Sequence, residues 1–214
     1  MIPYAATGGD DALSSLVQNY ALVPCEYTSR CAIAAGGPAP LWTTLFTSMF
    51  LHGGWSHILG NMVYLFVFGN HVERSMGHLR YLAFYLLCGL GASALEIATA
   101  VDSNLPGLGA SGAIAGVLAG FLVLYPTSRI GTLIPLGFLV FPARIYAWVF
   151  IAFWFVLQLF SGIASLGGQA AATGGVAYWA HVGGFLTGLL LIRPFTVPDR
   201  VRQLQSYHTR FAQS

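Results

Sequence analysis

Two side chains that could act together as a nucleophile and a base lie in apolar parts of this sequence. Ser111 stands in the motif Gly109-Ala110-Ser111-Gly112, where an apolar run begins, and His181 stands in a second, later run. A nucleophile-type hydroxyl or an imidazole within a membrane segment is costly to place, so each is a functional-site hypothesis by default. An imidazole can activate a neighbouring hydroxyl by accepting its proton. The two residues therefore predict a serine hydrolase that works within a membrane.

The composition of the chain indicates a membrane protein. Of its 214 residues, 56% are hydrophobic and only 7% are charged. A soluble domain carries about a quarter charged residues, so this chain cannot coat a soluble fold with charge. We therefore predict one all-α, polytopic membrane helix bundle without a second globular domain. The net charge of +2 gives no indication of a nucleic-acid partner.

Five apolar segments are predicted to be membrane spans. They are Trp55–Asn70, Tyr81–Val101, Gly109–Tyr125, Tyr146–Phe160 and Val176–Ile192. The stretch Thr132–Phe141 contains Pro135 and is followed by Pro142, which favours a bent connector. The glycine-rich stretch Ser161–Gly175 joins the last two segments and is predicted to act as a lid.

Arginine placement predicts the orientation of these spans, because cytoplasmic loops carry an excess of basic residues. With five spans, most arginines fall on one side: Arg74, Arg80, Arg129, Arg144, Arg193, Arg200, Arg202 and Arg210. We therefore predict a multi-pass protein of the cell (inner) membrane with a cytoplasmic C-terminus. Its predicted parts are an external region with an interfacial loop (1–54), a membrane domain (55–193) and a cytoplasmic tail (194–214).

Four polar residues are predicted to lie at a similar depth near the outer surface. The first, third and fifth segments run in the same direction, and each carries polar residues just inside its outer end: His57 and Asn61, Ser111, and His181. With a rise of about 1.5 Å per residue, all four lie within roughly 10 Å of one depth. The spacing therefore predicts that they share one site.

Small residues at every fourth position predict close packing of the third and fifth segments. They are Gly112, Gly116 and Gly120 on the third segment, and Ala180, Gly184 and Gly188 on the fifth. Membrane helices with this pattern approach closely. Such an approach would bring Ser111 and His181 within hydrogen-bonding distance. The alternative is that both stripes are packing motifs alone.

The motifs around these residues resemble those of the rhomboid family of intramembrane serine proteases. The matching motifs are Gly109-Ala110-Ser111-Gly112, His57-Ile58-Leu59-Gly60-Asn61 and Ala180-His181-Val182-Gly183-Gly184-Phe185-Leu186-Thr187-Gly188. The resemblance extends from about Tyr20 to Arg193 and includes the order of the motifs along the chain. It implies a rhomboid-like bundle with about five spans here, against six in the usual family core, so an upstream span is expected to be missing.

The resemblance also implies a catalytic mechanism. Ser111 would be the nucleophile and His181 the general base of a dyad without an acidic third member. The oxyanion donors would be the backbone N–H of Ser111 and the side chains of His57 and Asn61. Gly109, Gly112, Gly184 and Gly188 would be supporting motif positions. The substrates would be transmembrane helices of membrane proteins, cleaved near their outer ends within the lipid bilayer.

One position departs from the family pattern. Some members carry an aromatic residue one helical turn after the nucleophile, against the catalytic imidazole, whereas this chain has Ala115 there. His181 must therefore be oriented by another group.

Other functions remain open from the sequence. A non-catalytic rhomboid-like protein that binds or dislocates membrane clients, an inactive truncated remnant, and a small transporter or channel are the alternatives. The six histidines show no metal-ligand spacing, and nothing in the sequence indicates a cofactor. Cys25 and Cys31 fall on the predicted external side, where a disulfide is possible, but their spacing does not decide whether one forms.

Overall fold

The computed structural model describes residues 10–31, 40–136, 139–166 and 176–211. Residues 167–175, the greater part of the predicted lid, lie outside these ranges. The prediction that an upstream span is missing stays a prediction.

The segment before the first predicted span folds against the loop that leads to Ser111. Its elements are the helices α1 (Asp10–Tyr20), α2 (Pro24–Thr28) and α3 (Thr44–Thr47), with 3-10 turns at Leu41–Thr43 and Ser48–Phe50. Leu22 exchanges two backbone hydrogen bonds with Gly107, of 3.0 and 2.7 Å. A disulfide joins Cys25 to Cys31. This segment therefore holds the loop before Ser111 in place.

The helical bundle follows the five predicted spans. Its helices are α4 (Trp55–Tyr64), α5 (Asn70–Met76), α6 (His78–Thr99), α7 (Ser111–Leu124), α8 (Ala147–Ala164), α9 (Tyr178–Phe195) and α10 (Pro198–Phe211). A π-helical turn, Leu65–Gly69, makes α4 and α5 continuous. By length and composition α6 and α8 could each cross a membrane, and α9 could do so together with the start of α10, from which it is bent by 103°. The predicted membrane helix bundle is confirmed.

Helix α7 lies at the centre of the bundle, packed against α6 and α9. Nearly all of its residues are buried, as expected for a helix that is apolar on every face. A Cβ added at Gly184 would overlap the backbone oxygen of Gly112, and one added at Gly188 would lie 2.6 Å from the Cα of Gly116. The two small-residue stripes thus bring the backbones of α7 and α9 into direct contact.

A β-hairpin replaces the predicted bent connector between α7 and α8. Strand β1 (Arg129–Leu136) pairs antiparallel with β2 (Leu139–Tyr146), from the pair Arg129↔Tyr146 to the pair Leu136↔Leu139. Both strands of a hairpin are edge strands, so each tolerates the proline that suggested a bend. The connector prediction was wrong in this respect, because Pro135 and Pro142 lie within paired strands and do not bend the chain away from them.

The predicted cytoplasmic tail contains a helix that returns to the bundle. The Nε2 of Gln205 on α10 donates a 2.7 Å hydrogen bond to the carbonyl of Leu124, the last residue of α7. The backbone N–H of Val197 donates to the carbonyl of Ser75 on α5. Since α10 begins directly after a sharp bend, it closes the end of the bundle opposite Ser111.

Candidate active site

Ser111 begins α7 directly after a turn that requires glycine. Gly109 has φ +125°, a conformation that L side chains rarely adopt, and its N–H donates a 2.9 Å hydrogen bond to the carbonyl of Ser48. A Cβ at Gly109 would lie 2.7 Å from His57 Nε2. Glycine is therefore needed here both for the turn and for the space that the imidazole occupies.

The structure brings Ser111 and His181 into contact. Ser111 Oγ lies 2.8 Å from His181 Nε2. His181 occupies the first turn of α9, and Gly184 in the same helix lies against Gly112 of α7. The close packing of the two helices thus sets the distance between hydroxyl and imidazole, which is the geometry a base needs to activate a nucleophile.

His57 and Asn61 lie one turn apart on α4 and face the turn at Gly109. The backbone N–H of Gly53 donates to His57 Nδ1 at 3.3 Å, so a neutral His57 carries its proton on Nε2. Asn61 is buried, and its Nδ2 has no hydrogen-bond partner within the described parts of the chain. That nitrogen would lie 3.8 Å from a Cβ at Gly109. Two N–H donors therefore converge beside Ser111.

These four residues line one cleft between α4, α7, α8 and α9. Its volume is about 620 Å³, within the usual range for ligand sites, and its walls are mostly apolar with a few converging polar groups. Trp154 of α8 and Tyr64 of α4 contribute to the walls. The sequence-predicted residues thus lie together in one cleft.

Sequence reasoning missed two residues of α8 that contact His181. Gln158 Oε1 lies 2.8 Å from His181 Nδ1, and the Trp154 ring lies 5.7 Å from the imidazole, centroid to centroid. Ala115 is fully buried, so the position without an aromatic is filled from a different helix. The available signal was an amide in the otherwise apolar segment Tyr146–Phe160, and polar residues within spans indicate function.

Glu96 holds the start of α9. Its Oε2 accepts a 3.0 Å hydrogen bond from the backbone N–H of Ala180. The first N–H groups of a helix have no partner within the helix, so a carboxylate there stabilises the helix end next to His181. The Glu96 side chain is thus directed inward, toward α9.

His52 lies behind His57 in the loop before α4. The two rings meet edge to face with their centroids 5.2 Å apart. Burial and the neighbouring His57 lower the pKa of His52, which favours the neutral imidazole near neutral pH. His52 therefore contacts the ring of His57 and is not a solvated surface histidine.

Comparisons with known proteins identify relatives of this chain. The Rhomboid domain family model matches residues 39–196. RHOMBOID-like protein 4 of Arabidopsis thaliana is 33% identical over 155 residues, which cover 70% of this chain and 34% of that protein. Rhomboid protease AarA of Providencia stuartii is 30% identical over 175 residues, or 75% of this chain and 59% of that protein.

A third relative is similar over a shorter region. Rhomboid protease GluP of Bacillus subtilis (strain 168) is 40% identical over 88 residues, which cover 41% of this chain and 17% of that protein. The chain thus spans about a third of RHOMBOID-like protein 4 and less than two thirds of AarA. The sequence-based family prediction is confirmed.

Proposed function

Because this multi-pass membrane protein belongs to the rhomboid family, we propose that it is an intramembrane serine endopeptidase. Its substrates would be membrane proteins, cleaved in a transmembrane helix near the outer end by a Ser111–His181 dyad. The observation that carries the proposal is the 2.8 Å contact between Ser111 Oγ and His181 Nε2 in a cleft between helices. Two of the relatives are named rhomboid proteases, which supports the same reaction class.

Acylation starts with attack of Ser111 Oγ on the carbonyl carbon of the scissile peptide bond. His181 Nε2 accepts the Oγ proton as the new C–O bond forms, and the carbonyl π electrons move to the oxygen. The imidazolium then donates that proton to the nitrogen of the leaving amine as the C–N bond breaks. The products are an acyl ester on Ser111 and a neutral amine.

Three N–H donors can stabilise the oxyanion that forms in this step. The Ser111 N–H is one of the donors at the start of α7 that have no partner within the helix, and the helix dipole also favours negative charge there. His57 Nε2–H supplies the second, and Asn61 Nδ2–H, which has no partner among the described residues, supplies the third. Each such donor is worth about 10²–10³ in rate.

Deacylation returns the enzyme to its starting state. A water attacks the acyl carbon while His181 Nε2 accepts a proton from it, and the tetrahedral intermediate collapses to a carboxylic acid. The Ser111 oxygen leaves and recovers its proton from the imidazolium. The water enters through the same cleft, because His57, Asn61 and the dyad line it together.

The proposal is tested with purified protein in proteoliposomes and a reporter that carries one transmembrane helix. We expect the parent to cut the reporter within or beside that helix, and Ser111→Ala and His181→Ala to give no detectable product. His78→Ala is the control for loss of a histidine, since His78 is exposed at the start of α6. An inactive parent, or cleavage that persists in either dyad variant, would refute the proposal.

A further inference from the structure

The residue that orients the imidazole of His181 comes from a helix that carries neither member of the dyad. We propose that Gln158 of α8 is a positioning residue that holds His181 in the tautomer with its proton on Nδ1. This inference rests on the proposed function for its catalytic consequence, although the hydrogen bond itself can be tested without catalysis.

The two ring nitrogens of His181 have different partners. Nε2 lies 2.8 Å from Ser111 Oγ, and Nδ1 lies 2.8 Å from Gln158 Oε1. A neutral imidazole has one N–H donor and one acceptor nitrogen. For Nε2 to accept the hydroxyl proton of Ser111, the ring proton must be on Nδ1. An amide oxygen at Nδ1 selects that tautomer.

The orientation of the Gln158 amide is supported by its other end. Its Nε2 donates to the backbone carbonyl of Trp154, one turn earlier in α8, at 3.4 Å. The reversed amide would place its oxygen against that carbonyl and its NH₂ group against Nδ1. Reversal would therefore lose both hydrogen bonds of the amide. Its oxygen would repel the carbonyl oxygen of Trp154, and its NH₂ group would favour the tautomer with the proton on Nε2.

The surroundings of the imidazole make this single bond important. Ala115 stands on α7 at the position where some members of the family have an aromatic residue. Its side chain has no polar group that could bond the imidazole. The Trp154 ring also contacts the imidazole, with the two ring planes 40° apart, but a ring contact cannot distinguish the two nitrogens. Among the described residues, Gln158 is the side chain that hydrogen-bonds Nδ1. An acceptor on a neighbouring group commonly sets the tautomer of a functional histidine.

A neutral amide differs from the carboxylate of a Ser–His–Asp triad. It orients the ring and selects the tautomer without placing a buried negative charge between helices, where a charge is costly. It also stabilises the transient imidazolium less than a carboxylate would. Gln158 therefore supplies geometry, with a smaller electrostatic contribution than an acidic third member.

The kinetic test compares Gln158→Met, which removes the acceptor while retaining length, with Gln158→Glu, which retains an acceptor oxygen. We expect kcat to fall by about 10² in Gln158→Met, a part of the 10²–10⁴ that a positioned base supplies. We expect KM to stay within about twofold of the parent value, because Gln158 acts on His181 and does not contribute to substrate binding. Gln158→Glu should recover most of kcat. Leu157→Met, at a partly lipid-facing position of the same helix, is the matched control and should resemble the parent.

A spectroscopic test separates this inference from the proposed function. In the Ser111→Ala protein with ¹⁵N-labelled histidine, the His181 signals are identified by their loss in a Ser111→Ala, His181→Ala double variant. We expect a proton bonded directly to Nδ1 when Gln158 is intact and in the Gln158→Glu variant. In the Gln158→Met variant we expect a mixture of the two tautomers. This measurement needs no substrate, so it remains informative if the protein is not a protease.

Three results would overturn the inference. The first is a Ser111→Ala protein with Gln158 intact whose His181 proton is on Nε2. The second is Gln158→Met without effect, either on that tautomer in the Ser111→Ala protein or on kcat in the active enzyme. The third is a folded Gln158→Glu protein that is no more active than Gln158→Met. Proteolysis that survives Ser111→Ala would instead overturn the proposed function and leave the tautomer result standing.

Discussion

The contact between α7 and α9 at Gly184 can be tested by adding one methyl group. In Gly184→Ala the new Cβ would lie 2.8 Å from the carbonyl carbon of Gly112 and would overlap its oxygen. An ordinary contact for a Cβ begins at 3.4 Å. Both atoms of Gly112 belong to a helix backbone that cannot rotate away, so the two helices must separate at this point.

The size of the effect follows from the position of Gly184 beside the dyad. To move the new Cβ from 2.8 Å to 3.4 Å from the carbonyl carbon of Gly112, the helices must separate by about 3.4 − 2.8 = 0.6 Å. Removing the overlap with the carbonyl oxygen needs a larger separation. Ser111 adjoins Gly112, so the same displacement would stretch the 2.8 Å contact between Ser111 and His181. A misplacement of about 1 Å can cost 10² in rate, and overpacking costs about 1–3 kcal/mol of stability. We expect losses of this size in Gly184→Ala.

The matched control is Gly120→Ala, at the far end of the same helix pair. There the added Cβ would lie 2.8 Å from Cδ1 of Ile192, the end of a flexible side chain that can change rotamer. Alanine is also the better helix former. We expect a change in stability of less than about 1 kcal/mol, a small part of a typical overpacking cost, and cleavage close to that of the parent.

The assay pairs unfolding in mixed micelles, followed by the tryptophan fluorescence of α8 and α9, with cleavage of the single-helix reporter. Gly184→Ala should lose both stability and cleavage, and Gly120→Ala neither. If Gly184→Ala matched the parent in both measurements, the reasoning from backbone contact would be refuted. Equal damage from both variants would also refute it, because the argument depends on what each methyl group meets.

Two further predictions concern the groups around the dyad. In Gly109→Ala, the new Cβ would lie 2.7 Å from His57 Nε2 on a backbone with positive φ, so His57 should be displaced as an oxyanion donor. We expect kcat, measured with the same reporter, to fall by about 10²–10³. A parent-like kcat would contradict this role of Gly109. In Glu96→Leu, the N–H of Ala180 loses its acceptor, and thermal unfolding should show a loss of about 1–2 kcal/mol in the free energy of unfolding. Glu96→Gln should keep most of the stability, and equal losses in the two variants would contradict the role of Glu96 as the acceptor.

Part of this site could be predicted from local sequence alone. Ser111 and His181 were identifiable because polar groups in apolar runs are costly and therefore rare. The glycine stripes of α7 and α9 were identifiable because close helix contacts leave a regular four-residue spacing. Both signals lie within single segments, so they required no knowledge of how the segments are arranged.

Other parts depended on which segments face each other. Gln158 and Trp154 belong to a segment whose other residues are apolar on every side. The amide marks Gln158 as a functional candidate, but the sequence does not indicate that it meets His181. The contact of Glu96 could not be predicted, because its acceptor role depends on the start of another helix, at Ala180. The hairpin was missed because each strand has apolar residues that are equally compatible with a bent connector.

The sequence by itself determined that the protein lies in a membrane, that it is a helix bundle, and which two groups are reactive. Composition, segment length and residue spacing carry this information because each apolar segment must meet the requirements of the bilayer on its own. Only the tertiary structure decided how His181 is oriented. The rotation of α8 about its axis and its distance from α9 bring Gln158 to Nδ1, and both are set by packing among several helices at once.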